Sequence, residues 1–540
     1  MKNIILIPAR GGSMGVPRKN VKLLNNKPLV EYVIDTALGL KDTFNTYVIT
    51  DDDEIEFIAK KRGVLTVREP KTSGKSTLDE VNLKFLNSLD FKPSPETVIL
   101  TIQPTCPFIK SETISMALEK VLNTNGSIIT VKDDRHLNWT ITNGISEKLY
   151  KERVNRQLLP PNFRESGAII GTTVANLLKN GTRIVAPVNL IEITKEEGID
   201  IDDFYDWATA EYVSKKKKVI IRTDASIEKG MGHVYRSLAI ALELSQHEII
   251  VFTDSEKPLG ADFFSSYPFK LVNKSSSEFV GYVEQQKPNI VILDILDTSK
   301  ELVTSIKKHT DRIITFEDSG EGASVADLLI SDLYQNNEVQ NEKQLSGIEY
   351  AILSPSFDIL AAKQEIKIEV TNILLLFGGT DPSDLTLKAL SALQFIKFSG
   401  HVTVIQGLGR KDRIIDLGAY GLTGEVLTNV QYLPSYMLQS DLAISSAGRT
   451  ITELISLGIP TLCLCQNDKE ILHTHASQQY GIVNLGLGKL LTPETIGSHV
   501  SFLMDNYSLR KKMNERQVFH SKRRKNKKII EEIITHLNLN

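Results

Sequence analysis

Glycines and basic side chains alternate directly after the first apolar run of the sequence. The segment IPARGGSMGVPRKN contains, in order, Arg10, Gly11, Gly12, Gly15, Arg18 and Lys19. Glycine lets the backbone turn tightly, and the N–H groups of such a turn can point at phosphate oxygens. The positive charges match a triphosphate, so the segment predicts a phosphate-binding loop. Its order of residues is neither that of a P-loop nor G-x-G-x-x-G.

A carboxylate pair occurs much later, in the segment IDIDD. Asp200 and Asp202 are two positions apart, so both side chains face the same side if the segment is extended. Mg²⁺ prefers one or two carboxylates together with phosphate oxygens, and Mn²⁺ accepts similar oxygen ligands. Beside a triphosphate, this pair therefore predicts a metal site. An isolated D-x-D would instead be read as a solvated turn.

A second glycine-rich loop contains a histidine. The segment TDASIEKGMGHVYRSL follows another apolar run and places Gly230 and Gly232 just before His233. His233 falls at the expected start of a helix, so its ring can project towards the loop rather than into the core. Histidine titrates near neutral pH and suits proton transfer. A lone histidine is usually structural, but the flanking glycines favour a role facing a ligand.

Small residues recur farther along the chain, after two more apolar runs. The segments LLLFGGTDPSD and ISSAGRTITEL contain Gly378, Gly379, Ser445, Ser446, Gly448 and Glu453. Small residues at a helix N-terminus suit a pyrophosphate. Glu453 lies a little over one turn into the predicted helix, where its carboxylate can accept hydrogen bonds from ribose hydroxyls. The alternative for Glu453 is an acid on a solvated helix face.

Short apolar runs rich in β-branched residues must position these loops. They include NIILIP, TYVIT and VILTI in the first part, and KVIIRT, NIVILD, NILLLF and TLCLC in the second. Such runs alternate with helix-period segments, which is typical of strands buried on both faces in parallel βαβ units. The sequence therefore predicts an α/β fold.

The length of 540 residues exceeds what one hydrophobic core usually supports. A run of four lysines, 215–218, lies between a predicted helix end and a new strand. We interpret this run as a solvated linker rather than an anion-binding patch. A weaker boundary falls near 364–370, where KQEIKIEVTN precedes NILLLF. We therefore expect domains at 1–214, 219–365 and 366–540.

The composition argues against several classes of partner. The formal net charge is −3, with 41% hydrophobic and 24% charged residues, so we expect neither nucleic acid nor membrane binding. No stretch approaches the ~20 apolar residues needed to span a bilayer. The cysteines Cys106, Cys463 and Cys465 lack zinc-site spacing, and the N-terminal apolar run is too short for a secretory signal. We expect a cytoplasmic enzyme with reduced thiols.

Five segments of the first part carry a resemblance. They are IPARGGSMGVPRKN, ITDD, IQPTCP, RQLLPPNFRESGAII and IDIDDFYDWATAE. In this order they resemble the motifs of the CMP-sialic acid synthetase family, over nearly all of residues 1–214. The resemblance implies a Rossmann-like nucleotidyltransferase domain that transfers the cytidylyl group of CTP to a nonulosonic acid. It also implies Mg²⁺ or Mn²⁺ as cofactor and a homodimer formed through this domain.

The same resemblance implies roles for individual residues. Lys19 and Asp202 would be catalytic, and Asp200 and Asp202 would hold the metal. Nucleotide contacts are implied for Arg10, Gly11, Gly12, Ser13, Arg18, Lys19, Asn20 and Asp51. Substrate contacts are implied for Gln103, Thr105, Arg156, Gln157 and Arg164, with Arg164 near the sugar carboxylate. The chain departs from the family at Met14, Ile109 and Ser166, where lysine, arginine and asparagine are usual.

The second part carries another motif, R-x-D-x-S…G-x-G-H-x-x-R-x-L. It comprises Arg222, Asp224, Ser226, Gly230, Gly232, His233, Arg236 and Leu238. Together with YAILSPSF it resembles the UDP-sugar hydrolases of pseudaminic acid synthesis, which have two Rossmann-like domains of the GT-B type. The resemblance implies that His233 acts on water and that Asp224 and Arg236 contact the substrate. It places UDP around Gly378, Gly379, Ser445, Ser446, Gly448 and Glu453. Ile295 replaces a usual histidine, whereas Asp294 remains.

These resemblances predict a two-enzyme fusion. The hydrolase would release a diacetamido-trideoxy hexose from its UDP-sugar, and a separate synthase would condense that sugar with phosphoenolpyruvate. The cytidylyltransferase would then activate the resulting acid, which can be pseudaminic, legionaminic or sialic acid. One alternative makes the second part a GT-B glycosyltransferase, in which His233 deprotonates an acceptor hydroxyl. Another is a degenerate nucleotide-sugar-binding regulator, suggested by Met14 and Ile295.

Overall fold

The chain folds into two units, Met1–Lys216 and Lys217–Asn540. The computed structural model describes residues 2–12, 15–69, 76–226, 230–334, 344–360, 362, 365–407, 409, 413–428, 430 and 432–524. Each unit has its own sheets and its own hydrophobic core, and each is described by itself.

The N-terminal unit alternates strands with helices. Its strands are β1 (Asn3–Pro8), β2 (Leu23–Leu24), β3 (Lys27–Pro28), β4 (Phe44–Thr50), β5 (Leu65–Arg68), β6 (Val98–Ile102), β7 (Ser127–Asp133), β8 (Trp139–Thr142), β9 (Ile145–Lys148), β10 (Phe163–Thr173) and β11 (Val188–Glu192). Its helices are α1 (Leu29–Leu38), α2 (Asp53–Lys61), α3 (Leu78–Asn87), α4 (Ser111–Thr124), α5 (Val174–Asn180) and α6 (Phe204–Ser214).

Among the described residues of this unit, seven strands form one sheet in the order β11-β7-β10-β6-β1-β4-β5. The central residues of β1 are all buried, because apolar clusters cover both faces of the sheet. Strand β10 runs antiparallel to both neighbours and carries a register shift between Glu165 and Ile170. The sheet is therefore mixed, whereas the apolar runs alone predicted parallel units.

The C-terminal unit begins with seven strands. They are β12 (Lys218–Thr223), β13 (Glu248–Asp254), β14 (Lys270–Lys274), β15 (Ile290–Asp294), β16 (Arg312–Phe316), β17 (Leu328–Ser331) and β18 (Gln344–Ser346). The helices of this half are α7 (Gly232–Glu243), α8 (Pro258–Phe264), α9 (Phe279–Gln286), α10 (Lys300–Lys307) and α11 (Ser356–Ile359). The strands pair in parallel in the order β14-β13-β12-β15-β16-β17-β18. Lys218 already belongs to β12, so the lysine run ends inside a strand.

The second half of this unit repeats the pattern. Its strands are β19 (Asn372–Leu376), β20 (His401–Gln406), β21 (Thr423–Thr428), β22 (Leu442–Ser445), β23 (Thr461–Cys465) and β24 (Ile482–Leu487). Its helices are α12 (Leu385–Phe395), α13 (Leu433–Gln439), α14 (Thr450–Leu457), α15 (Asp468–Ile471), α16 (Pro493–Asp505) and α17 (Tyr507–Ser521). The parallel order is β21-β20-β19-β22-β23-β24.

Both sheets of the C-terminal unit reverse their strand order at their first strand. β12 lies between β13 and β15, and β19 lies between β20 and β22. In open parallel sheets, ligands bind at such switch points, outside the carboxyl ends of the strands. The loops with His233 and Gly378 both leave these strands at their carboxyl ends. The predicted α/β class with Rossmann-like sheets is confirmed.

The C-terminal helix ties the two halves together. Helix α17 packs against α14, and the buried Arg510 in it donates to the carbonyls of Lys367 and Ile368 at 2.9 and 2.6 Å. Just beyond α17, Arg524 pairs with Asp358 of α11 at 2.6 Å. In the part of the chain that the structure describes, no helix has the length and apolarity required to cross a bilayer.

Candidate functional sites

The glycine loop of the N-terminal unit leaves the carboxyl end of β1 and is fixed by three backbone contacts. The Gly11 amide donates to Asp51 Oδ1 at 2.9 Å, and Asn20 Nδ2 donates to the Arg10 carbonyl at 2.9 Å. A side-chain carbon at Gly15 would lie 1.9 Å from the carbonyl oxygen of Asp202, so only glycine fits there. The structure thus brings the loop against the IDIDD segment. The predicted Ser13 and Met14 lie outside the described residues.

The basic side chains of this loop have different partners. Lys19 is buried, donates to the Ile201 carbonyl and lies 3.6 Å from Asp202 Oδ1. Arg10 lies 3.5 Å from the buried Glu69. Arg18, 48% exposed, pairs with Asp52 and Glu54 at the start of α2. Lys19 and Arg10 therefore border the loop, whereas Arg18 is engaged by surface carboxylates.

The predicted metal ligands stand just before α6. Asp203 caps this helix, and Asp206 accepts hydrogen bonds from the Asp202 and Asp203 amides at 3.0 and 3.2 Å. Asp202 is 78% exposed, whereas Asp200 is half-buried. Burial and the Asp202 charge raise the pKa of Asp200.

A divalent cation would relieve the repulsion between these two carboxylates. Within the described residues, no three His, Cys, Asp or Glu side chains gather as a metal cage. A carboxylate pair without such a cage fits Mg²⁺, which takes its remaining ligands from phosphate and water.

The predicted sugar contacts fall into two groups. Gln103 donates to the Gly167 carbonyl at 2.7 Å, and the Thr105 carbonyl accepts from the Ile201 amide at 2.9 Å, so both lie beside Asp200. Three others stand at exposed positions near the end of β7: Arg156, Gln157 and Arg164. Arg156 and Arg164 lie 4.0 and 3.9 Å from carboxylate oxygens of Asp133 and Asp134. Among the described residues, the side chains of Arg156 and Arg164 have no ion pair shorter than these.

Two residues of this site differ from the sequence expectations. Ser166, expected beside the sugar, is 2% exposed and donates to Thr130 Oγ1 at 2.8 Å, so it faces the interior. Lys132 was not predicted. Its Nζ donates to the Gly198 carbonyl at 2.6 Å, and its charge acts on Asp200. Its position as the first charged residue after the apolar run SIITV is the signal that could have identified it.

A cavity of about 570 Å³ lies between the two halves of the C-terminal unit. This volume is in the range of sites for drug-sized or cofactor-sized ligands. One wall comes from the first half and the other from the second. The predicted residues that line it are Gly230, Gly232, His233, Arg236, Gly378, Gly379, Ser446, Gly448 and Glu453.

His233 is held by a buried carboxylate. Its Nδ1 lies 2.7 Å from Asp294 Oδ1, at the carboxyl end of β15. Burial opposes ionisation of Asp294, but the charges of Arg236 and His233 hold its pKa below the ordinary value. Because Nδ1 then donates to Asp294, Nε2 is the ring nitrogen left for a ligand. Asp294, which the sequence showed only as retained, is thus the group that orients His233.

Arg236 supports this pair from the core. It is 1% exposed and reaches Asp294 at 2.5 Å, Glu317 at 3.3 Å and Asp332 at 3.5 Å. Because three carboxylates surround the guanidinium, its direct contact with substrate stays a prediction. Asp224 belongs to a different buried group with Arg222 and Lys257. It is not among the described residues that line the cavity.

The second half supplies the loops predicted for the nucleotide. Gly378 adopts a φ of +75°, in the region that favours glycine, and Gly379 lies against Met231 so closely that a side chain would collide. Ser446 and Gly448 line the cavity before α14. Ser445 is buried and donates to the Leu376 carbonyl at 2.7 Å, so it faces the sheet. Burial raises the pKa of Glu453 to about 7.

Sequence reasoning missed five charged residues among the described residues that line this cavity, and the buried Asp332 behind it. The five are Asp297, Glu317, Arg449, Lys469 and Glu470. Glu470 accepts hydrogen bonds from the Ala447 and Gln466 amides, and burial raises its pKa to about 7. Glu317 and Asp332 each stand directly or almost directly after an apolar strand, in RIITFE and LLISD. That position at a carboxyl end is the signal that could have found them.

The fold and these sites define a nucleotidyltransferase-type α/β unit joined to a pair of Rossmann-like domains that face each other across a cleft, the GT-B arrangement. Comparison with known proteins agrees for the first unit, because residues 4–154 match the family model described as cytidylyltransferase. The N-terminal unit is therefore similar to this family over residues 4–154.

Relatives match each part of the chain. An uncharacterised protein of Methanocaldococcus jannaschii is 31% identical over 277 residues, which cover 46% of this chain and 56% of that protein. The spore coat polysaccharide biosynthesis protein SpsG of Bacillus subtilis is 28% identical over 318 residues, 54% of this chain and 90% of that protein. The CMP-N,N'-diacetyllegionaminic acid synthase of Legionella pneumophila is 29% identical over 222 residues, 39% of this chain and 95% of that protein. The chain thus spans little more than half of the first of these relatives.

Proposed function

We propose that the N-terminal unit transfers the cytidylyl group of CTP to a nonulosonic acid and releases pyrophosphate. One observation carries this proposal. The glycine loop is packed against the Asp202 backbone, with Lys19 3.6 Å from the Asp202 carboxylate. Basic groups, backbone amides and a carboxylate pair therefore border one space that suits a triphosphate with its metal. The legionaminic acid synthase among the relatives supports the class of sugar.

In this reaction a hydroxyl of the sugar acid attacks the α-phosphorus of CTP, and pyrophosphate leaves. Such transfer needs alignment and charge neutralisation more than covalent help. Lys19 and Arg10 neutralise phosphate oxygens, and Asp200 and Asp202 would hold Mg²⁺, which supplies further charge neutralisation when bound. Gln103 orients the sugar or the nucleotide beside Asp200. Arg164 is proposed to pair with the sugar carboxylate.

For the C-terminal unit we propose hydrolysis of a UDP-sugar, namely a diacetamido-trideoxy hexose. His233, oriented by Asp294 at 2.7 Å, lines a cavity whose opposite wall holds Gly378, Ser446 and Gly448. Nε2 takes a proton from water as the water oxygen bonds to the anomeric carbon, and the bond from that carbon to the UDP oxygen breaks. The products are free sugar and UDP.

Glycosyl transfer is the second candidate, since the GT-B arrangement also serves that reaction. His233 would then accept the proton of an acceptor hydroxyl instead of that of water. Release of free sugar and UDP from the UDP-sugar without any acceptor favours hydrolysis. Turnover of UDP-sugar only when an acceptor is added would overturn hydrolysis and leave transfer.

The test for the first unit is mass spectrometry of the products formed from CTP, Mg²⁺ and a panel of pseudaminic, legionaminic and sialic acids. A CMP-sugar and pyrophosphate are the expected products. If no member of the panel gives CMP-sugar, the unit is a nucleotide-sugar-binding regulator rather than an enzyme.

Two partners belong to this proposal. A separate synthase would convert the released hexose into the acid that the first unit activates, in the cytoplasm. We also propose a homodimer formed through the cytidylyltransferase domain. Light scattering of the full chain and of its separated peak fractions tests the dimer, and a mass of one chain at micromolar concentration would contradict it.

A further inference from the structure

Five buried charged side chains lie behind His233 and connect the two halves of the C-terminal unit. Asp294, Arg236, Glu317 and Asp332 come from the first half, and Arg449 precedes α14 in the second. We call these five the charge cluster. Their side chains are at most 12% exposed. Arg236 and Arg449 both lie 3.5 Å from Asp332 Oδ1, so this one carboxylate joins the halves.

The charge cluster contains three carboxyl groups and two guanidinium groups. An unbalanced buried charge is costly, so a cluster of this composition binds a proton. Burial and the Asp332 carboxylate raise the pKa of Glu317 well above its ordinary range. Burial opposes ionisation of Asp332, but the charge of Arg449 outweighs this and lowers its pKa to about 2. Glu317 is therefore the carboxyl group of the cluster that favours a proton, and with one proton bound the cluster is neutral.

One further observation agrees with a protonated Glu317. Asp332 Oδ2 is buried, and among the described groups no N–H or hydroxyl group donates a hydrogen bond to it. A protonated Glu317 carboxyl group beside it can donate that hydrogen bond. Glu317 also has a φ of +52°, in the left-handed region that costs about 1 kcal/mol for such a residue. The amides of Asp332 and Leu333 hold its carboxyl group there, at 2.8 and 3.3 Å.

Other titratable groups surround the charge cluster. They are His473, His475, Tyr334, Glu453, Glu470, the buried Arg524 that is paired with Asp358, and the exposed pair Asp297–Lys469. Burial lowers the pKa of His475 to about 4 and raises that of Tyr334 to about 12, so both are uncharged at neutral pH. Glu453 and Glu470 line the cavity on the side of Arg449. When these two groups ionise they add negative charge, which the positive charge of Arg449 partly offsets.

We propose that Arg449 is a positioning residue for His233: by neutralising Asp332 across the cleft, it completes the cluster that holds Asp294 against His233 Nδ1 and so leaves Nε2 for the ligand. Arg449 also donates to the Ile352 carbonyl, and a side chain at Gly232, next to His233, would lie 3.1 Å from Arg449 Cδ. These contacts place Arg449 of the second half directly beside the His233 loop of the first half. This inference rests on the proposed hydrolysis, since that reaction gives His233 its role. The titration that tests the inference does not require hydrolysis to occur.

The test is an NMR titration of ¹⁵N-labelled histidine in the full chain, with the His233 signal assigned from His233→Gln. Arg449→Met removes a positive charge that lies beside the His233 loop, so the histidine binds a proton more readily. We expect its protonation to move to higher pH by about one unit, equivalent to about tenfold tighter proton binding. The acid limb of the pH–rate profile moves in the same direction.

Matched variants separate charge from structure. Arg449→Lys keeps the charge, and Lys469→Met removes an exposed, water-screened charge from the same cavity; both should leave the His233 titration nearly unchanged. Asp332→Asn added to Arg449→Met restores the balance and should return the titration to that of the unaltered chain. A shift in Arg449→Met that Asp332→Asn does not reverse would overturn the proposal, as would no shift at all.

Glu317→Gln tests the location of the proton without touching Arg449. If Glu317 is neutral, its amide isostere leaves the His233 titration in place. Movement to lower pH by about one unit would mean that Glu317 is ionised, and the balanced cluster would be wrong. The titrations can behave as expected even if the unaltered chain does not cleave a UDP-sugar. In that case the proposed hydrolysis is wrong and the positioning role of Arg449 stands.

Discussion

Asp202 and Arg18 of the N-terminal site face solvent, whereas the charged side chains behind His233 are buried. Arg18 and Asp202 are 48% and 78% exposed, while Asp294 and Arg236 are at most 1% exposed. The first site is thus electrostatically incomplete, with a repelling pair of carboxylates and basic groups open to a ligand. In the second site, the buried charged groups are already paired with one another without a ligand.

This difference indicates two ways of preparing a site for a nucleotide. Under the function proposed for the N-terminal unit, the triphosphate and its metal would bring the charges that complete the arrangement. In the C-terminal unit, protein groups already fix the histidine, and the ligand has only to fill a formed cavity. Removing a charge should therefore affect mainly turnover in the first unit, but both turnover and folding in the second.

The largest effect is expected from the two central side chains. Asp202→Ala should lower cytidylyl transfer by about a thousandfold or more and spare UDP-sugar cleavage. His233→Gln should lower UDP-sugar cleavage by a factor of about 10²–10⁴ and spare cytidylyl transfer. Parallel assays of both reactions on each purified variant check this. Loss of both activities from one folded variant would break the comparison, because the two sites would not be independent.

The next effect concerns stability. Asp294→Asn removes the carboxylate that faces the buried Arg236, and we expect a loss of about 3 kcal/mol in the free energy of unfolding of the C-terminal unit. The matched change Asp52→Asn, at the exposed partner of Arg18, keeps the cap of α2 and should cost less than about 1 kcal/mol. Hydrogen exchange resolved by peptide reports each unit separately. Equal losses for the two variants would contradict the contrast drawn between the sites.

A smaller effect is expected within the glycine loop. Gly15→Ala brings a carbon against the Asp202 carbonyl, so the loop must move, and cytidylyl transfer should fall about tenfold. At Gly12 an added carbon meets nothing within 4 Å, so Gly12→Ala should keep the stability of the unit. Thermal unfolding and initial rates of both variants check this. If Gly12→Ala loses activity at unchanged stability, Gly12 contacts the nucleotide directly.

The smallest effect is a pH dependence of nucleotide binding. Burial raises the pKa of Glu453 to about 7, so the group loses its proton as pH rises through neutrality. A carboxylate accepts stronger hydrogen bonds from hydroxyls than a neutral acid does. From pH 6 to pH 8, the affinity for UDP should therefore rise about threefold more in the unaltered chain than in Glu453→Gln. The UDP phosphate titrates in the same way with both proteins, so its contribution cancels in the ratio. Calorimetry with both proteins measures this ratio, and a constant ratio would exclude Glu453 from ribose binding.

Local pattern was enough to predict much of the fold. Runs such as NIILIP, NIVILD and TLCLC are buried strands, as their β-branched composition indicated. The direction of β10 was not predictable in this way, because antiparallel pairing to β6 and β7 depends on the path of the chain before it. Strand composition carries no information about which neighbour a strand will take.

The same distinction holds for the sites. The glycine loops and His233 were visible because their chemistry is local in sequence. The charge cluster was not visible, because Asp294, Glu317 and Asp332 follow different strands and meet Arg449 only through the order of the sheets. Ser445 shows the reverse: its local context suggested a ligand contact, but its register in β22 turns it into the sheet.

The contacts of the last described helix also bear on how the protein assembles during synthesis. The N-terminal unit can complete its sheet as soon as β11 has left the ribosome. The C-terminal unit cannot close in the same way, because Arg510 and Arg524 hold residues 358–368 and are translated after nearly all of the unit. Until they emerge, the halves can be joined by contacts such as Arg449–Asp332, but the segment between the halves lacks the bonds that Arg510 and Arg524 make to it.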